Sequence, residues 1–288
     1  MTITVTQLAN RRNHLGSSDI PQIMGFSPYG NAYDLWLYKT GRVQEKEKTE
    51  SYISAGNLLE SPILKWLENL LGESIITDPR KLERSVPNTP IVDHTDGLVE
   101  KTNVPCEVKT EGVDHPILLP WGDANTDEVP EYTCLQSHVH MMAYDTEICH
   151  VPTFLGGRGF GYFFVKRDED IVKMIREQAV KFWHENVLAD KPPENIVPNI
   201  EVIKRIRPMQ GEPVAIPQDI IDAWQKAKDE RLAIAKQEEF YKAEILALLD
   251  GRESGFCDTN LITNLEQSRA GYVVEPCSFR VLRLKKKK

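Results

Sequence analysis

The stretch "PCEVKT", residues 105–110, places a carboxylate and an ammonium two positions apart in a short apolar run. In a β-strand, alternate residues project to the same side, so Glu107 and Lys109 would point together while Val108 faces the other way. Paired charges on a half-buried strand cost desolvation free energy unless a function requires them. The two residues are therefore either an ordinary surface ion pair or part of a site.

A second carboxylate precedes this pair in "DHTDGLVE", residues 93–100, where Asp96 stands before a glycine at the end of a short strand run. Two adjacent strands joined by the turn "EKTN" would bring Asp96, Glu107 and Lys109 together. Two carboxylates and a nearby backbone carbonyl can bind Mg²⁺, and a lysine beside the ion can orient water or screen phosphate charge. The D…ExK pattern is also common by chance, so an ion pair on a hairpin remains an alternative.

Composition narrows the class of protein. With 288 residues, 41% hydrophobic and 27% charged, the chain is typical of a soluble globular protein with one large or two modest domains. A net charge of −8 argues against a generic nucleic-acid binder, but not against one that concentrates positive charge in a channel. The five cysteines form no CxxC pair, which argues against a disulfide framework, a zinc ribbon or a four-cysteine iron–sulfur cluster. We expect no membrane span and no signal peptide.

Periodicity and capping residues outline the elements. We predict a helix beginning near Ser18 or Asp19 and further helices at 31–41, 55–72, 131–144, 171–189 and 217–250. Short strands are predicted at "IVDH", "GLVE" and "CEVKT", and hairpins at 148–168 and 261–284. The simplest organisation is an α/β core over residues 1–198 and a helical and β-hairpin extension over 199–288.

Six blocks in chain order carry a resemblance to a known family. They are "GSSDIPQIMGFSPYGNAYDLWLYKTG" (16–41), "GNLLESPI" (56–63), "TDGLVE" (95–100), "CEVKT" (106–110), "WGDANTDEVPEYTCLQSHVHMMAY" (121–144) and "FLGGRGFGYFFVKRDED" (154–170). Together they resemble the YqaJ-like viral recombinases, relatives of lambda exonuclease in the PD-(D/E)xK nuclease superfamily. The resemblance implies a restriction-endonuclease-like core, with a central mixed β-sheet flanked by helices. Thr95 stands where the superfamily name has proline, which leaves the following carboxylate intact.

The resemblance also implies roles for individual residues. The implied metal ligands are Asp96, Glu107, the carbonyl of Val108 and Glu60, the implied catalytic lysine is Lys109, and the metal is Mg²⁺ with Mn²⁺ as a substitute. For Glu60, the alternative is an ordinary polar residue on an amphipathic helix.

The helix predicted at 131–144 contributes further candidates. Tyr132 and Gln136 are four residues apart and share a face. The resemblance places Gln136 beside the active site, where it would donate to the attacking water or the scissile phosphate, and it places Tyr132 against DNA. The alternative for this helix is core packing, which can hold on its other face. His138 and His140 are two apart and diverge, so we do not predict a metal pair there.

The N-terminal block suggests an anion site. Ser18 near a helix start offers a hydroxyl, and Arg11 offers a bidentate fork. By the resemblance, these two residues would hold a terminal 5′-phosphate. The alternative is that Ser18 is a plain N-cap and Arg11 lies on the surface. Trp121 and Arg158 are better explained by packing and by a solvated turn than by contact with DNA.

The resemblance implies a Mg²⁺-dependent 5′→3′ exonuclease that degrades one strand of linear double-stranded DNA for phage-type recombination by single-strand annealing. The implied partners are DNA ends, a single-strand annealing protein and further copies in a homotrimer, in the cytoplasm of a bacterial host. The helix at 217–250 has an apolar stripe that would either form contacts between subunits or pack on its own core, formed by Ile221, Trp224, Ile234, Tyr241 and Leu248. The alternatives are an endonuclease or RecB-type nuclease, and a non-catalytic DNA-binding or assembly module.

Overall fold

The computed structural model describes residues 11–43, 51–112, 120–206 and 214–265. The chain divides into two compact units, Met1–Arg207 and Pro208–Lys288. Within the described ranges, every helix is too short or too polar to cross a membrane.

Short, locally capped helices open the first unit. They comprise 3₁₀ turns at Arg11–Asn13 and Ser17–Asp19, helix α1 (Ile20–Met24) and helix α2 (Ala32–Lys39). At the start of α2, the Asn31 side chain accepts hydrogen bonds from two backbone N–H groups, and the Asp34 carboxylate accepts one from the Asn31 N–H. This reciprocal capping box fixes the helix start that the sequence predicts. Gly41, with φ of 71°, follows the helix end.

The next helix, α3 (Ser51–Leu71), covers one face of the sheet. Its apolar side chains Ile63, Leu64 and Leu67 are buried, and Gly72 follows it with a left-handed φ of 68°. The predicted helix over 55–72 is therefore confirmed and begins earlier than predicted. The single-turn helix α4 (Pro79–Leu82) leads into the strands.

A mixed six-stranded sheet forms the centre of the first unit. Its strands are β1 (Ile75–Ile76), β4 (Gly97–Val99), β5 (Pro105–Cys106), β6 (Lys109–Glu111), β7 (Ile148–Leu155) and β8 (Gly159–Lys166). β5 and β6 pair with β7 in parallel, and the other pairings are antiparallel. Strands β2 (Glu83–Ser85) and β3 (Val92–His94) form a separate antiparallel pair. The mixed central sheet and the hairpin at 148–168 are confirmed.

The "PCEVKT" stretch is not one continuous strand, which corrects the prediction. β5 ends at Cys106 and β6 begins at Lys109, so Glu107 and Val108 form a break. Both halves keep the same register against β7, with Cys106 opposite His150 and Lys109 opposite Thr153. The chain therefore stays extended through the break, and the alternation of side chains is preserved.

Helices α5 (Glu131–Tyr144) and α6 (Glu169–Lys181) complete the first unit, the latter continued by a π-helical turn at Phe182–Leu188. The α3 side of the sheet packs around Leu64, Leu67, Val99 and Cys106, while Met141 of α5 lies among strand residues of the opposite side. Helix α7 (Ile200–Ile203) closes this unit.

The residues of α7 belong with the first unit, although the predicted core ends at 198. The Asn199 N–H donates to Asp34 Oδ1 at 2.8 Å, and Ile206 forms a β-bridge with Val43. How the C-terminal extension packs, on the core or on a neighbouring subunit, stays a prediction.

The second unit contains helix α8 (Gln218–Leu249) and the antiparallel strands β9 (Ser254–Phe256) and β10 (Leu261–Thr263). The long helix is confirmed. Most of the hairpin predicted over 261–284 lies outside the described residues, and its described start, β10, pairs with the preceding strand β9.

Candidate active site

The strand break aligns Asp96 with the "CEVKT" residues. The Asp96 N–H donates to the Cys106 carbonyl at 3.1 Å, and Asp96 Oδ2 accepts a hydrogen bond from the Val108 N–H at 2.8 Å. The Thr95 hydroxyl lies 2.8 Å from the Cys106 carbonyl and 3.1 Å from that of Gly97. The threonine that replaces the superfamily proline therefore helps to fix the position of Asp96.

Glu107 and Lys109 face the same side, as the alternation predicts. Lys109 Nζ donates to Glu107 Oε1 at 2.5 Å and to Gln136 Oε1 at 2.8 Å. The same nitrogen lies 4.6 Å from the centroid of the Tyr132 ring. One face of α5 thus brings both of its predicted residues, Tyr132 and Gln136, to Lys109.

Two further side chains at this site were missed by the sequence reasoning. His140 Nε2 lies 2.7 Å from Glu107 Oε2, and His140 Nδ1 lies 2.8 and 2.9 Å from the two carboxylate oxygens of Asp93. A signal existed, since His140 is four residues after Gln136 and so continues the same helix face. The expected divergence of the two histidines is seen, because His138 instead contacts the Cys134 carbonyl and the Asp168 N–H.

The charges of the two strand carboxyls differ in how they are compensated. Burial opposes ionisation of Glu107, but Lys109 and His140 outweigh it and lower its pKa to about 2. Burial, Glu107 and Glu60 together raise the pKa of Asp96 to about 8. Burial disfavours the charge on Lys109, yet the attraction of Glu107 prevails and raises its pKa. Without a cation beside it, the Asp96 carboxyl therefore favours its protonated, neutral form at neutral pH.

Glu60 approaches this cluster from α3. Its charge is among the causes that raise the pKa of Asp96, so the two carboxylates are close. One turn earlier, a Cβ on Gly56 would lie only 3.3 Å from Thr110 Oγ1, which shows how closely α3 packs on β6. The absence of a side chain at Gly56 lets α3, the helix that contains Glu60, pack closely on β6.

The donor set fits a hard divalent cation. Among the described residues, no three His, Cys, Asp or Glu side chains are grouped as a metal-binding cluster. The two strand carboxylates plus the Val108 carbonyl instead offer an all-oxygen set, which suits Mg²⁺. Burial first, and then the charges of Glu107 and Glu60, raise the pKa of Asp96, and a cation bound beside the carboxylate would oppose this rise.

The structure also brings the predicted anion-site residues together. Arg11 Nη2 donates to Ser18 Oγ at 3.3 Å. Ser18 lies inside the 3₁₀ turn and caps no helix, so the N-cap alternative is wrong. Buried Lys39 holds the loop, since its Nζ lies 2.6 Å from the Arg11 carbonyl, the His14 carbonyl and Asp19 Oδ2.

This loop is adjacent to the active-site helix, because the 3₁₀ turn at Ser17–Asp19 packs against α5. Tyr29 forms an edge contact with Tyr132, with ring centroids 5.8 Å apart. The packing interpretation of Trp121 and Arg158 agrees with the structure, because Trp121 packs on Phe163 and Arg158 donates to backbone carbonyls.

The first unit is a mixed α/β domain with a central mixed β-sheet flanked by helices, as predicted. The sequence model of the YqaJ-like viral recombinase domain matches residues 8–147. This match confirms the resemblance that the six sequence blocks indicate.

Similar proteins include YqaJ of Bacillus subtilis (strain 168), which is 26% identical over 188 residues, or 65% of this chain. The match spans 57% of the length of that relative. Among solved structures, the alkaline exonuclease LHK-Exo from Laribacter hongkongensis is similar with a TM-score of 0.49 and 16% identity, covering 65% of this chain and 94% of its own. A phage-related exonuclease from Haemophilus somnus 129PT has a TM-score of 0.45 and 15% identity, covering 64% of this chain and 100% of its own.

Proposed function

We propose that this protein is a divalent-metal-dependent deoxyribonuclease, and more specifically an exonuclease that acts on ends of double-stranded DNA. The observation that carries the proposal is the convergence of Asp96, Glu107 and Lys109 at the strand break, with Gln136 facing them from α5. The viral recombinase domain over residues 8–147 supports the same reading.

Each residue of the candidate site has a different role in the proposed hydrolysis of a phosphodiester. Asp96, Glu107 and the Val108 carbonyl would hold the metal, with Glu60 close by. When bound, Mg²⁺ would supply positive charge that polarises a phosphoryl oxygen, and Mn²⁺ is expected to substitute. Lys109 remains protonated because its pKa is raised, so it stabilises charge on the phosphate rather than acting as a base. Gln136 accepts from Lys109 through Oε1, so its amide N–H groups serve the water or the phosphate.

The anion site favours an exonuclease over an endonuclease. An arginine fork and a hydroxyl beside the active-site helix suit a terminal phosphate, a group that uninterrupted duplex lacks. On this basis the enzyme would start at a 5′-phosphorylated end and proceed 5′→3′ along one strand. The viral recombinase relationship extends the proposal to recombination with a single-strand annealing protein, and to a homotrimer.

The decisive experiment compares linear with covalently closed circular duplex DNA, with Mg²⁺, Mn²⁺ or EDTA present. We expect mononucleotides from linear DNA only, with a 5′ label released before a 3′ label, and no release in EDTA. Cleavage of closed circles would indicate an endonuclease. Tight DNA binding without cleavage in either metal would indicate a binding or assembly module.

A further inference from the structure

The Glu107 carboxylate is held from two sides by two different elements. Lys109, its neighbour along the strand, donates to Oε1, and His140 of α5 lies 2.7 Å from Oε2. On the other side of the imidazole ring, His140 Nδ1 lies 2.8 Å from Oδ2 of Asp93 in β3. The histidine and the aspartate are fully buried, and Glu107 is 6% exposed.

The carboxylates around His140 determine that both of its ring nitrogens donate hydrogen bonds. Both nitrogens of His140 face carboxylates, and an ionised carboxylate only accepts hydrogen bonds. Each nitrogen therefore donates, and neither is directed at a metal or at substrate. His140 acts on the site through Glu107, and Asp93 acts through His140.

The free energy needed to bury these charged side chains argues that they serve a function. Burying a set of charges is expensive, and well-packed apolar residues of similar volume often serve stability equally well. A carboxylate with a single partner can rotate about its last side-chain bond, whereas one held at both oxygens has a fixed plane. Outer hydrogen bonds of this kind commonly orient groups that ligate metals.

We propose that His140, anchored by Asp93, is a positioning residue that fixes the orientation of the Glu107 carboxylate for binding a divalent cation, an inference that rests on the proposed metal-dependent nuclease function. Lys109 contacts one oxygen of that carboxylate and His140 contacts the other, so together they set its plane.

The chain supplies a matched control in His138. It lies on the same helix and is equally buried at 1% exposure, but its ring contacts the Cys134 carbonyl and the Asp168 N–H rather than the site. A purely structural role predicts similar behaviour of the two histidines. A positioning role separates them in metal affinity.

The experiment measures the affinity for Mn²⁺ in the absence of DNA, by electron paramagnetic resonance of the free ion, in full-length protein. We expect His140→Leu to weaken Mn²⁺ binding about 10- to 100-fold. His140→Gln should recover part of the affinity, because its amide can still donate to Glu107. His138→Leu should lower the melting temperature while its Mn²⁺ affinity stays within about twofold of the native value. Asp93→Asn should fall between native and His140→Leu.

The outcomes separate this inference from the proposed function. Native-like Mn²⁺ affinity in His140→Leu, or equal losses in the His138 and His140 variants, would overturn the positioning role. If His140→Leu does not fold, His140→Gln and Asp93→Asn decide the question by the same comparison with His138→Gln. Native protein that binds Mn²⁺ but leaves linear DNA intact would remove the proposed nuclease alone. Native protein that binds no Mn²⁺ would overturn both.

Discussion

At the scale of single residues, Lys109 is the best-defined group of the site. Its ammonium contacts Glu107, Gln136 and the face of Tyr132, and its pKa is raised because the attraction of Glu107 exceeds the penalty of burial. A cation so firmly protonated is suited to stabilising charge that builds on a phosphate.

We expect Lys109→Met to lower kcat on linear duplex DNA by at least ~10²-fold while the protein stays folded. The physical reason is the loss of the positive charge at the reacting phosphate, since methionine keeps most of the apolar stem. Release of mononucleotides measures the rate, and circular dichroism checks the fold. The exposed Lys101 in the turn between β4 and β5 is the matched control, and Lys101→Met should retain native activity. Native activity in Lys109→Met would contradict the assignment.

Arg11 is the residue expected to give the enzyme a preference for 5′-phosphorylated ends. Native enzyme should degrade 5′-phosphorylated ends faster than 5′-hydroxyl ends, and Arg11→Ala should remove most of this preference. A charge-assisted hydrogen bond contributes about 1.5–3 kcal/mol, which corresponds to roughly 10- to 100-fold in rate. Initial rates on the two kinds of end provide the measurement.

The neighbouring Arg12 is the control for this test, because its guanidinium lies over the Tyr38 ring and reaches the Val43 carbonyl. Arg12→Ala should keep the phosphate preference. Equal rates on both ends in the native enzyme would show that the 5′-phosphate does not bind at Arg11 and Ser18.

At the scale of elements, the site depends on how closely α3 approaches the strands. A Cβ at Gly97 would lie 2.7 Å from Ile75 Cγ2 and 3.1 Å from Leu64 Cδ2. The glycine that follows Asp96 is therefore a point of close packing between α3, β1 and β4. Its missing side chain lets these elements approach closely beside Asp96.

We expect Gly97→Ala to lower the free energy of unfolding by about 1–3 kcal/mol, because the added methyl group overpacks this contact. Activity should fall as well, since the shift is passed to the adjacent Asp96. Chemical denaturation and the nuclease assay measure the two effects. Gly112 has no atom within 4 Å of an added Cβ, so Gly112→Ala should change neither quantity. A native free energy of unfolding in Gly97→Ala would mean that α3 can shift to accommodate the added methyl group without destabilising the fold.

Helices and strands differ in how far their local sequence determines them. Helices with strong caps, such as α2 with its Asn31 capping box, were predicted because their signals are local. The break at Glu107 and Val108 was missed, because nothing within the stretch distinguishes a paired residue from an unpaired one. The pairing of β10 with β9 was not predicted for a similar reason, since strand pairing depends on a partner that lies elsewhere in the chain.

At the scale of the whole molecule, the second unit offers a surface for self-association. Ile234, Tyr241 and Leu248 recur every seven residues along α8, and they are 66%, 52% and 82% exposed. Residues at this spacing lie on one side of a helix. An apolar row of this kind is suited to contact with another chain, so the trimer stays a prediction with a defined surface to test.

We expect Ile234→Lys combined with Tyr241→Lys to convert an oligomer into a monomer, because two charges would be buried in the contact. Light scattering on purified protein measures the mass. Glu239→Lys lies on the opposite side of α8 and changes the net charge by the same amount, so it should leave the mass unchanged. A native monomer would contradict the proposed assembly.

The sequence by itself determined the family resemblance, the α/β class and the shared face of Glu107 and Lys109, since these follow from ordered motifs and from the twofold alternation of an extended chain. It also determined the positions of Tyr132 and Gln136 on one face of a helix. The tertiary structure decided the rest of the site. Asp93 and His140 are 47 residues apart, and only the docking of α5 against the strands brings them to Glu107. Buried charges gain their partners through such long-range packing, and no local pattern in the chain encodes it.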